Sequence, residues 1–245
     1  MKFPLLFLCL LSSIGTTELT TGTLAHAVPQ APSSIDTRPT QPVKQSSQDL
    51  RPQIILRVYN YAHVDAGFLL GAEEIATGIL KEAKVAAKWV HCPLPQDEDD
   101  RYLECLADLG TNAFTLNILT PEMAVKIPTH DETLGYALTP CDEIATSCTI
   151  YVFFFRVSEL AQRFKILPAR LLGHVLVHEI GHMLLGVNHS PKGIMRGGWG
   201  RNEMKSIEVG ILDFSTEQAA QLRATLLRRA ARQEASQKVN LSASR

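Results

Sequence analysis

The sequence predicts an α/β sandwich: a mostly parallel twisted sheet with one antiparallel edge strand, covered by helices. Three observations predict it. Short β-branched and apolar runs alternate with segments of helical period in the first half of the chain. A long apolar helix pattern, Pro168 to Leu185, follows the last of those runs. A final helix follows a glycine-rich loop.

Gln53 to Tyr61 (QIILRVYNY) is β-branched and apolar, hence a strand. From Phe68 to Ala87, apolar residues fall at Phe68, Leu69, Ala72, Ile75, Ala76, Ile79, Leu80 and Ala83, the spacing of a helix with one buried face. Ala86 to Cys92 (AAKWVHC) is a second short strand. Pro93 to Arg101 is acidic; without EF-hand order it is read as a solvated loop rather than a calcium site. Phe114 to Leu119 is a third strand, and Leu134 to Leu138 a short edge strand. Ile150 to Val157 (IYVFFFRV) is strongly apolar and expected at the centre of the sheet. Ser215 is a good N-cap, with Glu217 in the first turn where it suits the helix dipole. That helix is expected to run to Arg232, its basic end (Arg223, Arg228, Arg229, Arg232) forming a solvated face, with Gln233 to Arg245 frayed.

The chain has 245 residues and a formal net charge of −1. Near-neutral charge argues against nucleic-acid and membrane-surface partners, which need clustered cations. Residues 1–27 read as a secretory signal: Lys2, an apolar run from Phe3 to Ile14, and a small-x-small cleavage site at Ala25-His26-Ala27. An uncleaved anchor is the alternative. Residues 28–50, rich in Pro, Ser, Gln and Thr, read as a disordered linker. Residues 51–235 form the folded domain, and 236–245 a flexible tail. The expected location is therefore secreted or periplasmic. Cys9 leaves with the signal; Cys92, Cys105, Cys141 and Cys148 remain. Nearest-neighbour pairing, Cys92–Cys105 and Cys141–Cys148, would staple two polar loops in an oxidising compartment. No C-x-x-C pair exists, which argues against a zinc cluster.

The chemistry is concentrated in HEIGHMLLGVNHSPKGIM, His178 to Met195. On a helix, residues i and i+4 share a face, so His178 and His182 can hold one metal ion. Imidazole suits a borderline tetrahedral cation, and zinc is the first choice. Glu179 points to the neighbouring sector, where its carboxylate can reach a metal-bound water as general base. Catalytic zinc needs three protein ligands plus water. Gly186 can take a left-handed conformation, end the helix and let the chain bring His189 to the same ion. Gly193 and Met195 follow in a tight turn that could set a sulfur beneath the imidazoles.

These residues resemble the metzincin clan of zinc endopeptidases, whose motif is H-E-x-x-H-x-x-G-x-x-H followed by a Met-turn. The match covers His178 to Met195, and the strand–helix–strand order before it is also like a metzincin upper subdomain. The resemblance implies a metzincin-like zincin fold, with His178, His182 and His189 as zinc ligands, Glu179 as base and Met195 as the Met-turn residue. It also implies that a peptide substrate pairs antiparallel with an edge strand, here Leu134 to Leu138.

The spacing departs from the clan by one residue. Gly186 stands four after His182 and His189 seven after, so a strict count puts Asn188 at the third-ligand position. Counted from the glycine, His189 keeps its place, and imidazole is the better ligand. Glu203 and Glu208 are alternatives of the glutamate-ligand type, on a segment (RNEMKSIEV) that could be helical. His174 reads as a core or supporting histidine, and His63, His91 and His130 as surface or loop residues. Trp199 reads equally as a pocket wall or a packing anchor. Nothing in the sequence decides whether Arg196 and Arg201 face substrate or solvent, and Tyr151 has no argument for catalysis. The expected activity is zinc-dependent hydrolysis of peptide bonds, with a peptide or protein as partner. The alternative is a non-catalytic metal-bound module that binds peptides, against which the intact Glu179 argues.

Overall fold

The computed structural model describes residues 51–94, 97, 105–138, 141 and 148–243. The predicted signal segment, the predicted linker and most of the acidic loop lie outside the described residues. The described elements run in the order β1 (Gln53–Asn60), α1 (Ala66–Glu82), β2 (Ala86–Cys92), β3 (Ala113–Ile118), α2 (Pro121–Ala124), β4 (Gly135–Ala137), β5 (Cys148–Val152), α3 (Phe154–Phe164), α4 (Pro168–Leu185), α5 (Arg201–Val209) and α6 (Thr216–Ala243).

The strands form one sheet in the order β2-β1-β3-β5-β4. Pairs β1–β2, β1–β3 and β3–β5 are parallel, and β4–β5 is antiparallel. The mixed α/β fold with its antiparallel edge is therefore as the sequence predicts. Alternation does the sorting. Ile54, Leu56 and Val58 of β1 are buried and share one core with Leu69, Ala72 and Ala76 of α1 and Leu171, Leu172 and Val175 of α4. Each large aliphatic side chain there contributes about 1.5–3 kcal/mol by leaving water.

Several boundaries differ from expectation. Helix α1 starts at Ala66 because the Asp65 carboxylate accepts the Phe68 N–H at 3.1 Å as an N-cap. It ends at Glu82, before the turn at Lys84 with φ 60° that leads into β2. The apolar run Ile150–Val157 is not one strand, and β5 is not central: β3 is, with β5 second from the edge. The chain leaves the sheet at Phe153, which packs with Leu119 and Ala124, and Phe154 opens α3. Val157 and Ala161, four apart, bury one face of α3, while Glu159, Gln162 and Arg163 point outward or partly outward. Helical period, not apolarity alone, separates the two elements.

Ser215 caps α6 as expected: its Oγ accepts the Gln218 N–H at 3.2 Å, and its own N–H donates to Gln218 Oε1 at 2.9 Å. The basic end of α6 is not wholly a solvated face. Arg229 is 1% exposed, the largest fully buried side chain among the described residues. Its Nε and Nη2 donate to the Thr111 carbonyl, Nη1 reaches the Cys141 carbonyl at 3.4 Å, and the guanidinium lies over Phe114. Nor does α6 fray at Gln233; it continues to Ala243, and Gln233 Oε1 accepts the Thr111 N–H at 2.9 Å. A planar fork that satisfies a buried carbonyl twice explains why an arginine leaves water here.

Both nearest-neighbour cysteine pairs are bonded. Cys92–Cys105 ties the end of β2 to the segment after the acidic loop, and Cys141–Cys148 ties the chain beyond β4 to the start of β5. Closing loops of this size restricts the unfolded chain by roughly 3 kcal/mol each. None of the described helices is long and apolar enough to cross a membrane.

Candidate metal centre

From Leu171 to Leu184 every residue of α4 except His178 is buried, so its side chains are fixed from all sides. His178 and His182 stand one turn apart with ring centroids 4.6 Å apart. The helix ends at Gly186, with φ 94° and ψ −177°. This is the extended, glycine-only region of positive φ, not the left-handed helical one that the sequence suggested. The sharper exit absorbs the additional residue before the glycine. Three positions on, His189 faces the helix pair, its ring centroid 5.5 Å from that of His178 and 4.8 Å from that of His182. One ligand-capable nitrogen from each of the three lies within 4.8 Å of the other two.

Among the described residues these three form the only such cluster of His, Cys, Asp and Glu. Asn188 and Glu208 are exposed, and Glu208 lies outside the histidine cluster. Glu203 is engaged elsewhere: its Oε1 accepts from Arg196 Nη1 and its Oε2 from the Gly200 N–H at 2.8 Å. Burial alone would raise this carboxyl, but those two bonds outweigh it and hold it below the usual carboxylate range. His174 is buried, its Nδ1 donating to the Arg170 carbonyl at 2.8 Å, and lies outside the cluster. His63 sits in the turn after β1 and His130 in a loop at the cleft. His91 is exposed on β2, with Nε2 3.1 Å from Oε2 of the buried Glu73.

The tautomers follow from the acceptors. His178 Nδ1 is 2.7 Å from the Ile194 carbonyl, and His182 Nδ1 is 3.0 Å from the Gly186 carbonyl. A carbonyl only accepts, so both Nδ1 atoms carry the proton and both Nε2 atoms are bare. Yet the two Nε2 atoms face each other at 3.0 Å. Two bare lone pairs at that distance repel unless a cation lies between them. A tetrahedral zinc with bonds of 2.0–2.1 Å would hold its nitrogens about 3.3 Å apart, so the donor set fits that ion. Burial first, then the neighbouring His182 and His189 imidazoles, push the His178 pKa down to about 4 against the hydrogen bond to the Ile194 carbonyl, and burial lowers that of His182. At neutral pH a proton does not compete for these nitrogens.

Glu179 is 5% exposed and burial pushes its carboxyl up to about 8, against a hydrogen bond from the Ala137 backbone. The edge strand makes room for it. A methyl group on Gly135 would fall 2.6 Å from Glu179 Cγ and 2.7 Å from Oε1. We therefore expect Gly135→Ala to lower kcat/KM for a peptide by about 100-fold, the cost of roughly 1 Å of misplacement at a reacting group. Zinc content should stay unchanged; a fully active variant would show that this contact does not place the carboxylate.

Met195 is 1% exposed, and its sulfur packs against Gly181, where a methyl group would clash at 2.3 Å, one residue before His182. The Ser190 N–H donates to the Met195 carbonyl at 2.8 Å, closing the turn that follows His189. Trp199 serves both suggested purposes: its Nε1 donates to the Ile194 carbonyl at 3.3 Å, and its ring stands edge-on to His178 at 5.4 Å, in the wall of the cleft. Arg196 pairs with Glu203, and Arg201 is exposed on α5.

The cleft over these groups measures about 970 Å³, with Leu160, Arg163 and Phe164 of α3 on one side and β4 on another. Sequence reasoning missed the α3 wall, although the spacing of Val157 and Ala161 signalled it. It also missed Gly135 and the carbonyls of Ile194 and Gly186, which no side-chain pattern reveals.

No family model and no curated protein matches the chain. Among solved structures, the chain is similar to archaemetzincin from Methanopyrus kandleri, with a TM-score of 0.43 and 15% identity, over 71% of this chain and 96% of that chain.

Proposed function

We propose that the chain is an exported zinc-dependent peptidase, as its resemblance to the metzincin clan implies. One observation carries the reading: two histidines with bare Nε2 atoms 3.0 Å apart, joined by a third imidazole, stand beside a buried glutamate in an open cleft. His178, His182 and His189 would hold the ion. Zinc, when bound, would polarise the scissile carbonyl and acidify water.

The rest falls to the chain's own groups. Glu179, whose charged form a cation held by the histidines would favour against the cost of burial, would take a proton from the attacking water at its carboxylate and pass it to the leaving amine. Gly135 and the Ala137 amide keep that carboxylate against the strand edge. The bonds Leu138 N–H to Thr149 O and Phe153 N–H to Leu134 O bracket the pair Tyr136–Tyr151. The backbone groups of Gly135 and the Ala137 carbonyl therefore lie on the free edge of the sheet, where an extended peptide can pair, while the Ala137 N–H serves Glu179. Both disulfides suit an oxidising compartment.

The test is elemental analysis of residues 28–245, purified without added metal or a histidine tag, followed by cleavage of a peptide library. We expect one zinc per chain and chelator-sensitive cleavage. A chain that carries no zinc, and takes none up, would defeat the proposal.

A further inference from the structure

We propose that Glu203 and Arg196 form a clasp that positions the third histidine, and so set how tightly the site keeps its metal. The inference rests on the function proposed above.

The three imidazoles are not held alike. His178 and His182 each have Nδ1 fixed by a backbone carbonyl and a stem on a buried helix. His189 is exposed and lies beyond the helix end, and among the described residues no backbone carbonyl accepts from its Nδ1 as Ile194 and Gly186 do for the other two. Its support comes from the facing loop. A methyl group on Gly197 would fall 2.9 Å from both Cγ and Nδ1 of His189, so the loop backbone lies directly against the ring. The same loop sets Trp199 against His178.

That loop, Arg196-Gly197-Gly198-Trp199-Gly200, holds three glycines, one with φ 73°. It has little stiffness of its own. One carboxylate closes it at both ends: Glu203 Oε1 accepts from Arg196 Nη1, at the first residue, and Oε2 accepts from the Gly200 N–H, at the last. Glu203 is anchored in turn, since Met204 and Ile207 of the short helix α5 are buried in the core. Arg196 is also bridged to Ser190, the residue after His189. The path from core to third ligand is thus continuous: α5, Glu203, the loop ends, Gly197, His189. Glu203 and Arg196 are positioning residues, acting on the metal through His189, although Arg196 also lines the cleft.

The experiment compares the native chain with Glu203→Ala, Glu203→Gln and, as a control on the same helix, the exposed Glu208→Ala. Zinc dissociation constants come from competition with a chromophoric chelator, and melting of the metal-free protein is recorded in parallel. Loss of a partner that orients a ligand costs roughly 10–100-fold in metal affinity, and that is the weakening expected for Glu203→Ala. Glu203→Gln, which can still accept one of the two bonds, should recover part of it, and Glu208→Ala should match the native chain. The visible absorption of the cobalt-loaded protein should change in Glu203→Ala, because one ligand is displaced. A merely structural role would shift melting without altering that spectrum, and would overturn the inference. Should Glu203→Ala fail to fold, Arg196→Lys carries the test; it keeps the charge but loses the planar fork, and native zinc affinity in it would count against the clasp. Native affinity in Glu203→Ala removes the clasp alone. A native chain without zinc removes both the clasp and the proposed function.

Discussion

Glu179→Ala is expected to keep its zinc and to lose peptide hydrolysis by on the order of 10³-fold, within the range for a positioned general base. That loss corresponds to about 4 kcal/mol of the barrier. The geometry separates the two readouts. Glu179 lies outside the histidine cluster, so removing it leaves the three nitrogens in place. Its carboxylate is buried between α4 and the Gly135 edge. Truncation to alanine vacates that space, and the other carboxylates lining the cleft, Asp131, Glu132 and Glu159, are exposed rather than buried beside the imidazoles. Turnover should fall far more than substrate binding, since the lost interaction belongs to the transition state. Glu179→Gln, which preserves shape but accepts no proton, should fall as far. Near-native turnover in either variant would assign the base to another group.

His189→Ala is expected to lose the metal, by more than the roughly 10–100-fold that an outer hydrogen-bond partner is worth. Two imidazoles would remain, and catalytic zinc sites use three protein ligands. The Nδ1 bonds of His178 and His182 to the Ile194 and Gly186 carbonyls hold both rings without help from His189. The fold should therefore survive, and the loss would be read by elemental analysis of a chain with native circular dichroism. Asn188→Ala and Glu208→Ala should keep zinc, because both side chains are exposed and outside the cluster. Zinc lost on changing Glu208, and kept on changing His189, would make the site one of the glutamate-ligand type.

The legible part of this site was its side-chain part. An i, i+4 histidine pair on an apolar helix has one geometry, so His178, Glu179 and His182 could be placed from spacing alone. His189 could be named but not proved by counting, because the offset before Gly186 is resolved by a backbone angle that no residue type announces. The strands were legible where β-branched residues alternate, as in β1. They were misread where aromatic residues run on: IYVFFFRV reads as one strand, yet Phe153 turns the chain into a helix. Arg229 shows the same limit from another side. Composition puts a helix-terminal arginine in water, and only the fold reveals the carbonyl of Thr111 that draws it inside. Backbone acceptors such as Ile194 and Gly186 are written at every position of a sequence and therefore stand out at none.

The buried Arg229 has a kinetic consequence. It meets Thr111 across a sequence separation of 118 residues, and Gln233 meets Thr111 across 122. A closure of that span is entropically late, since nearer contacts repay their loop cost first. Strands β1, β3 and β5 must already be aligned before a carbonyl stands ready for the guanidinium, and a charge does not leave water for an unformed partner. The Arg229–Gln233 stretch of α6 is thus expected to lock last, after the sheet exists. Interactions absent from the folding transition state slow unfolding rather than speed folding. The C-terminal helix would then govern how long the native state lasts once it has formed.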